Sequence, residues 1–478
     1  MTSLRGTALL ACLLAGCGAR SSLPADGQEG APAGPGVDAA RFDCRVSQSP
    51  RPMLAARVGS SVYFSYPDRS TKQVFTFDVP EGMYVSRADV IARGDHVAAY
   101  VLVIPSGGAP EPQAFAEVAV LHVDGAVLFH ERHDFAYEGV GSDHQLTGRA
   151  DLFVLTLTEV GTSLGLVIDG AGSTPISEPL AARSDPGEDG HMVMWKSPSN
   201  TTADLHFFDT AAGTVTPSLY LSADPFEDLA SSPAVLGSGL LYLQRNPARL
   251  VYETASGTTE QPLDVILESP GYATPGYLYS GGYVLFMLGG TTPLDARYLA
   301  TRFATGEARE FTLSPPAGLQ LPGDYWNPPP IDSRGRLLVP LYGDEKVQLF
   351  ATPDGASWEP VGRPIAEGGY PVTTAESGGT VIFAGFGGSV EVPGALPSWA
   401  DQLIGPEGGE GIELVRSDPG APDNPLYGED EISADGACVA YFRSGSIHVI
   451  EVAGYSSSDL GISTDGQSAE MAWIPLAE

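Results

Sequence analysis

Between Gly428 and Val452 the chain spells out a small unit that constrains everything else. Ser433-Ala434-Asp435-Gly436 leads into a β-rich run at 439–442, Ser444-Gly445 turns the chain, and a second strand follows at 447–452. The Asp-Gly pair suits a tight turn because glycine accepts the positive φ that such turns need. Weaker copies recur along the chain: 62–66 with 73–79, 96–103 with 116–123, 152–158 with 163–169, 191–196 with 203–209, 239–244 with 250–253, 283–288 with 298–303, and 336–342 with 346–351, with a further start at 380–385. They return every 35 to 60 residues or so, the spacing of repeat architectures in which no unit can bury its apolar face alone and neighbours must stack.

A second repeat accompanies the first. Strands end on an apolar-acidic step and a small-residue turn then reaches glycine, as in Phe77-Asp78 to Gly82, Phe208-Asp209 to Gly213 and Tyr252-Glu253 to Gly257. The acidic side chain is expected to accept backbone N–H groups in the turn. These carboxylates are therefore read as turn chemistry and not as a catalytic row. The 58 glycines and 40 prolines fall between strand-like runs, and the apolar fraction is 43%, which fits an all-β chain with many turns. The formal net charge of −34 reads as a surface that repels nucleic acid and anionic lipid headgroups, or simply as a solvated acidic exterior.

The Ser-x-Asp-Gly unit followed by strand, polar turn and strand resembles one blade of the TolB-like or WD40-like β-propellers. The resemblance implies an all-β β-propeller over residues 43–478, with seven to nine blades and eight as the expected number. The stretch 469–474 would supply a closing strand. Residues 386–427, rich in Gly, Pro and acids, read as a long insertion, with 397–404 its one helix-like piece and Pro397 placed at a first helical position. Asp354-Gly355-Ala356-Ser357-Trp358 resembles a shortened Asp-box, a hairpin turn of sialidase-like propellers that lies away from their active sites.

Residues 1–17 carry a different signal. Arg5 precedes a short apolar run at 8–14, well under the roughly 20 residues that span a bilayer. Leu14-Ala15-Gly16-Cys17 then resembles a bacterial lipobox, which implies cleavage before Cys17 and acylation of its thiol. Gly18 stands where an inner-membrane retention signal would place Asp, so an outer-membrane lipoprotein is expected, facing periplasm or cell surface. Residues 18–42 read as a linker. After export Cys44 and Cys438 remain. A disulfide between them would staple the first segment of a propeller to the last; the other reading is two free thiols, one of them in a strand.

Three groups could carry chemistry. His130-Glu131-Arg132-His133-Asp134, with Asp143 and His144, is the densest histidine group, but in a strand residues three apart face opposite sides, which favours a structural role over a metal site. The acids from Glu407 to Asp435, opposed only by Arg416, could hold calcium, yet match no calcium-loop pattern and read as a hydrated loop. No other cofactor is expected. Tyr325-Trp326-Asn327 could be an aromatic platform or interblade packing. The sequence shows no nucleophile elbow, phosphate loop or dinucleotide fingerprint. The expected function is therefore a non-enzymatic, lipid-anchored envelope scaffold that binds protein or polysaccharide; the alternative is a glycan-active hydrolase or lyase with an acidic central funnel.

Overall fold

The computed structural model describes residues 44–476, apart from the connections at 107–113, 136–142, 197–203, 223–232, 265–276, 289–296, 322–328, 367–372, most of 385–400, 415–429 and a few shorter stretches. The described strands form nine antiparallel sheets, eight of four strands and one of three. Each is a blade of a β-propeller: blade 1 holds 54–76 with 469–473, and blades 2 to 9 follow at 83–135, 143–175, 180–217, 234–262, 277–312, 337–366, 373–414 and 431–463. Blade 2, for instance, runs Met83–Arg93, His96–Pro105, Ala114–His122 and Val127–Phe135, paired in sequence order. The first strands of successive blades neighbour one another around the axis: Ala469–Trp473 lies beside Met83–Arg93, which lies beside Asp143–Arg149. Fourth strands such as Gly257–Pro262 are largely exposed at the rim.

The core explains why the second strands read as nearly unbroken apolar runs. In His96–Pro105, Val97, Ala99, Val101 and Val103 pack toward blade 1, while Ala98, Tyr100, Leu102 and Ile104 pack toward blade 3. Successive side chains alternate faces, and both faces are buried between blades. Nine apolar clusters result, one at each interblade seam.

Each recurrent hairpin is the second and third strand of a blade, except that 62–66 with 73–79 is the third and fourth of blade 1, so the ring has nine blades, within the expected seven to nine and one more than the central number of eight. The blade of Leu337–Gly343, Lys346–Thr352 and Glu359–Ala366 lacks a regular first strand. Its place is taken by a segment in which Leu338 N–H donates to Pro330 O at 2.8 Å and Ile331 bridges Leu337. Pro329 and Pro330 have no N–H to offer, which limits this edge to isolated bridges.

The helical reading of 397–404 is corrected. Asp401–Ile404 is the third strand of blade 8 and Ile412–Leu414 its fourth. Adjacent Leu403 and Ile404 resemble a helical pair in sequence, but they bury on opposite faces, toward blades 9 and 7 respectively. Part of the stretch read as an insertion thus belongs to the ring; the rest lies outside the described residues. Ala469–Trp473 pairs with Leu54–Val58 and becomes the first strand of blade 1, so the two ends of the chain close the ring within one sheet.

Candidate binding face

Antiparallel order gives the propeller two unlike ends. Connections from first to second and from third to fourth strands share one end, here the turn end. Connections from second to third strands and between blades share the other, the connection end. Turns at the turn end are mostly short and capped by their own side chains. Asp124 accepts from Ala126 N–H at 2.8 Å, Asp209 from Ala211 and Ala212 N–H at 2.9 Å each, and Asp435 from Ala437 N–H at 3.0 Å. The apolar-acidic repeat is thus explained at Asp209. It fails at Glu253, which is buried and instead accepts from Ser218 Oγ, Leu219 and Tyr220 N–H and Tyr242 O–H, capping the helical turn Leu219–Ser222. Burial and the Glu253 carboxylate push the Tyr242 phenol up.

The turn end also links blades. Gly436, at φ +69°, packs on Gly378 of blade 8, and a Cβ at Gly436 would meet Ser377 O at 2.7 Å. Thr380 Oγ1 donates to Gly436 O at 2.6 Å. The turn at Asp354 reaches a neighbouring blade as well: Asp354 accepts from Ala356 and Ser357 N–H and from Ser357 Oγ, while Trp358 Nε1 donates at 2.8 Å to Ser314 O, just past the fourth strand of the preceding blade. Both carboxylate oxygens of Asp185 accept from Arg93 Nη2 at 3.0 Å, and the same carboxylate accepts from Thr147 Oγ1 and Gly148 N–H, tying blades 2, 3 and 4.

The first and last described segments meet at the turn end. Cys44 and Cys438 form a disulfide, with Cα atoms 6.2 Å apart, and both residues are buried at the seam of blades 9 and 1. Arg69 donates to Cys44 O, and Arg51 donates to Pro475 O at 2.8 Å and pairs with Asp95. At the connection end Arg57, 1% exposed, completes the closure by donating to Gly59 O, Ser468 O and Ser468 Oγ, with Glu470 at 3.7 Å. Burial lowers its pKa, and Glu470, Asp89 and Tyr100 oppose that fall. Nearby, Tyr100 O–H and His144 Nδ1 are 2.6 Å apart. This polar group, beside the axis at blades 1 to 3, escaped the sequence reading because Arg57, Asp89 and Glu470 are far apart in sequence and match no motif. Its arginine is engaged in holding the seam.

The histidines predicted as a group are separated by their partners. His130 Nε2 meets the buried Glu117 carboxylate at 2.5 Å, His133 lies 3.5 Å from Glu131, and His144 joins Tyr100. No group of three metal-ligating side chains occurs among the described residues. Of the acidic run, Asp435 caps its turn and Glu431 is buried, while Asp418, Asp423 and Glu429 lie outside the described residues, as do Tyr325-Trp326-Asn327 and Cys17.

The connection end differs. Its second-to-third-strand connections are long on alternate blades, 106–113, 197–203, 289–296 and 385–400, and short between them, as at 59–60, 344–345 and 444–445. With the interblade connections at 218–233, 263–276, 313–330 and 415–430, this end carries most of the chain that is not strand.

Strand order and seams define the class: a nine-bladed, disulfide-closed β-propeller. No family model and no curated protein matches the chain. Among solved structures, apo AztD from Citrobacter koseri is similar at 12% identity, over 88% of this chain and 98% of that one, with a TM-score of 0.38. The β-propeller domain of the Trilobed protease from Pyrococcus furiosus is similar at 12% identity, over 70% and 97%, with a TM-score of 0.30. A TolB-assigned protein from Agrobacterium tumefaciens is similar at 12% identity, over 65% and 88%, with a TM-score of 0.22. These likenesses are too distant to bear on activity.

Proposed function

We propose that this protein is a lipid-anchored scaffold of the bacterial cell envelope, held in the outer membrane through Cys17, that binds an envelope protein or polysaccharide at its connection end without catalysing a reaction. The observation that carries this reading is the unlike character of the two ends. One end is committed to capped turns, interblade links and the disulfide. The other presents long connections on a rigid ring, the arrangement in which binding loops are usually found. The excess of acids on those connections favours a basic partner surface and disfavours nucleic acid.

The test is capture of envelope components by the full-length protein. Replacing 386–399 by a short Gly-Ser turn should weaken capture without lowering the melting temperature. Replacing the turn-end pair Ala255-Ser256 should leave capture intact. Equal capture by all three proteins would overturn the binding face. Cleavage of envelope glycan by the pure protein, lost in Glu470→Gln, would establish catalysis instead.

A further inference from the structure

We infer that the turn end faces the lipid surface and that the connection end points away from it, an orientation that rests on the lipid-anchor reading above. Three observations converge on it. The first is where the chain enters. Cys44 is fixed at the turn end by its disulfide to Cys438 and by Arg69, and Arg51 fastens the next turn of chain to Pro475 and Asp95 at that same end. Whatever lies before Cys44 therefore departs from the turn end.

The second is reach. Residues 18–43 separate the lipobox cysteine from the ring, and a Gly/Pro-containing chain of that length spans about 30 Å as a coil. To bring the connection end to the lipid, this segment would have to run outward across two strands, about 10 Å at sheet spacing. It would then climb the rim, about 17–33 Å for strands of five to ten residues. That path needs the segment stretched to or beyond its coil span, at a cost in chain entropy. With the turn end down, no detour is needed.

The third is surface chemistry. The turn end and the chain beside it carry Arg45, Arg51, Arg69, Arg183, Arg334 and Arg336 among more numerous acids such as Asp68, Asp95, Asp124, Asp185, Asp332 and Asp354, and the connections of the opposite end carry only Arg245 and Arg416. Acids prevail there: 218–233 holds Asp224, Glu227 and Asp228 with no base, and 415–430 holds Asp418, Asp423, Glu429 and Asp430 against Arg416. Anionic headgroups therefore repel the connection end more strongly than the turn end. Three of the exposed large apolar residues, Val127, Leu128 and Leu476, also lie toward the turn end.

Single cysteines report the orientation. Ala126→Cys places a thiol on an exposed turn at the turn end, and Glu81→Cys places one at the connection end near the same seam. Each is prepared as the full lipidated chain on vesicles of phosphatidylethanolamine and phosphatidylglycerol, and as the Cys17→Ser form in solution, and is labelled with a bulky maleimide-polyethylene glycol. The vesicle-bound form should label several-fold more slowly than the soluble form at position 126, and at the same rate at position 81. Equal slowing at both positions, or slowing at 81 alone, overturns the orientation while leaving the anchor standing. A wild-type protein that fails to float with the vesicles overturns the anchor itself, and the orientation with it.

Discussion

At the scale of single residues, the side chains that matter most are those that settle contacts between blades. Gly355 shows why. Its φ of +79° and the 2.3 Å that would separate a Cβ from Thr312 O leave room for glycine alone, so Gly355→Ala should cost on the order of 1–3 kcal/mol. Urea unfolding measures this, and an unchanged midpoint would mean that the blade contact is not as tight as it stands here. His448 makes a pH prediction. Burial holds its imidazole below the ordinary value of 6.5, with Asp459 opposing and Arg443 adding to the fall, so the fold favours the neutral ring. A depressed folded pKa gives stability that is present above pH 6.5 and lost as pH falls through the lowered value. Asp459, itself lowered by Ser446 and by Gly461 N–H, loses its contribution only further down, below the ordinary carboxylate value of 3.8. The melting temperature of wild type should therefore begin to fall just below pH 6.5, and that first step should be missing in His448→Gln. An identical profile for both proteins would assign the step to other groups.

At the scale of elements, the hairpins were legible because second and third strands bury both faces and so read as continuous apolar runs, as His96–Pro105 does. First strands were harder: Leu180–Ala182 and Glu431–Ile432 are too short to stand out, and Pro329-Pro330 leave theirs nearly unformed. The strand at Asp401–Ile404 was hidden by flanking Gly and Pro, which gave the stretch the look of an insertion. The candidate face was legible only in part. Its long connections can be counted in the sequence, but which end each leaves from depends on strand order, and the Arg57 group depends on ring closure. Two deletions separate ring from connection in blade 8. Removing 405–414 takes away Ile412–Leu414, with buried Leu414, and should lower the melting temperature. Replacing 386–399 removes no described strand and should leave it unchanged. Equal destabilisation by both would show that the connection packs as part of the blade.

At the scale of the whole molecule, stability turns on how the ring is closed, because each blade buries its faces only against two neighbours and one opened seam exposes both. Two devices close this ring, and they should differ in strength. The disulfide spans 394 residues, and by the chain-entropy account a loop of that size contributes on the order of 5 kcal/mol, by restricting the unfolded chain. The strand Ala469–Trp473 contributes its ladder to Leu54–Val58 and, with Ile474 just after it, buries Met471, Trp473 and Ile474. At about 1.5–3 kcal/mol for each large side chain, that burial alone amounts to roughly 5–9 kcal/mol, a large share of the 5–15 kcal/mol that holds a typical protein folded. Truncation after residue 467 should therefore prevent the ring from forming, since it removes the strand, Ile474 and the Ser468 carbonyl that Arg57 grips. Cys44→Ser, by contrast, should give a folded propeller with a lower melting temperature, and reductant should lower wild type to the same value. Intrinsic fluorescence and proteolysis distinguish the two outcomes. A truncated protein as resistant as Cys44→Ser would mean that the disulfide, and not the shared sheet, holds the seam between blades 9 and 1.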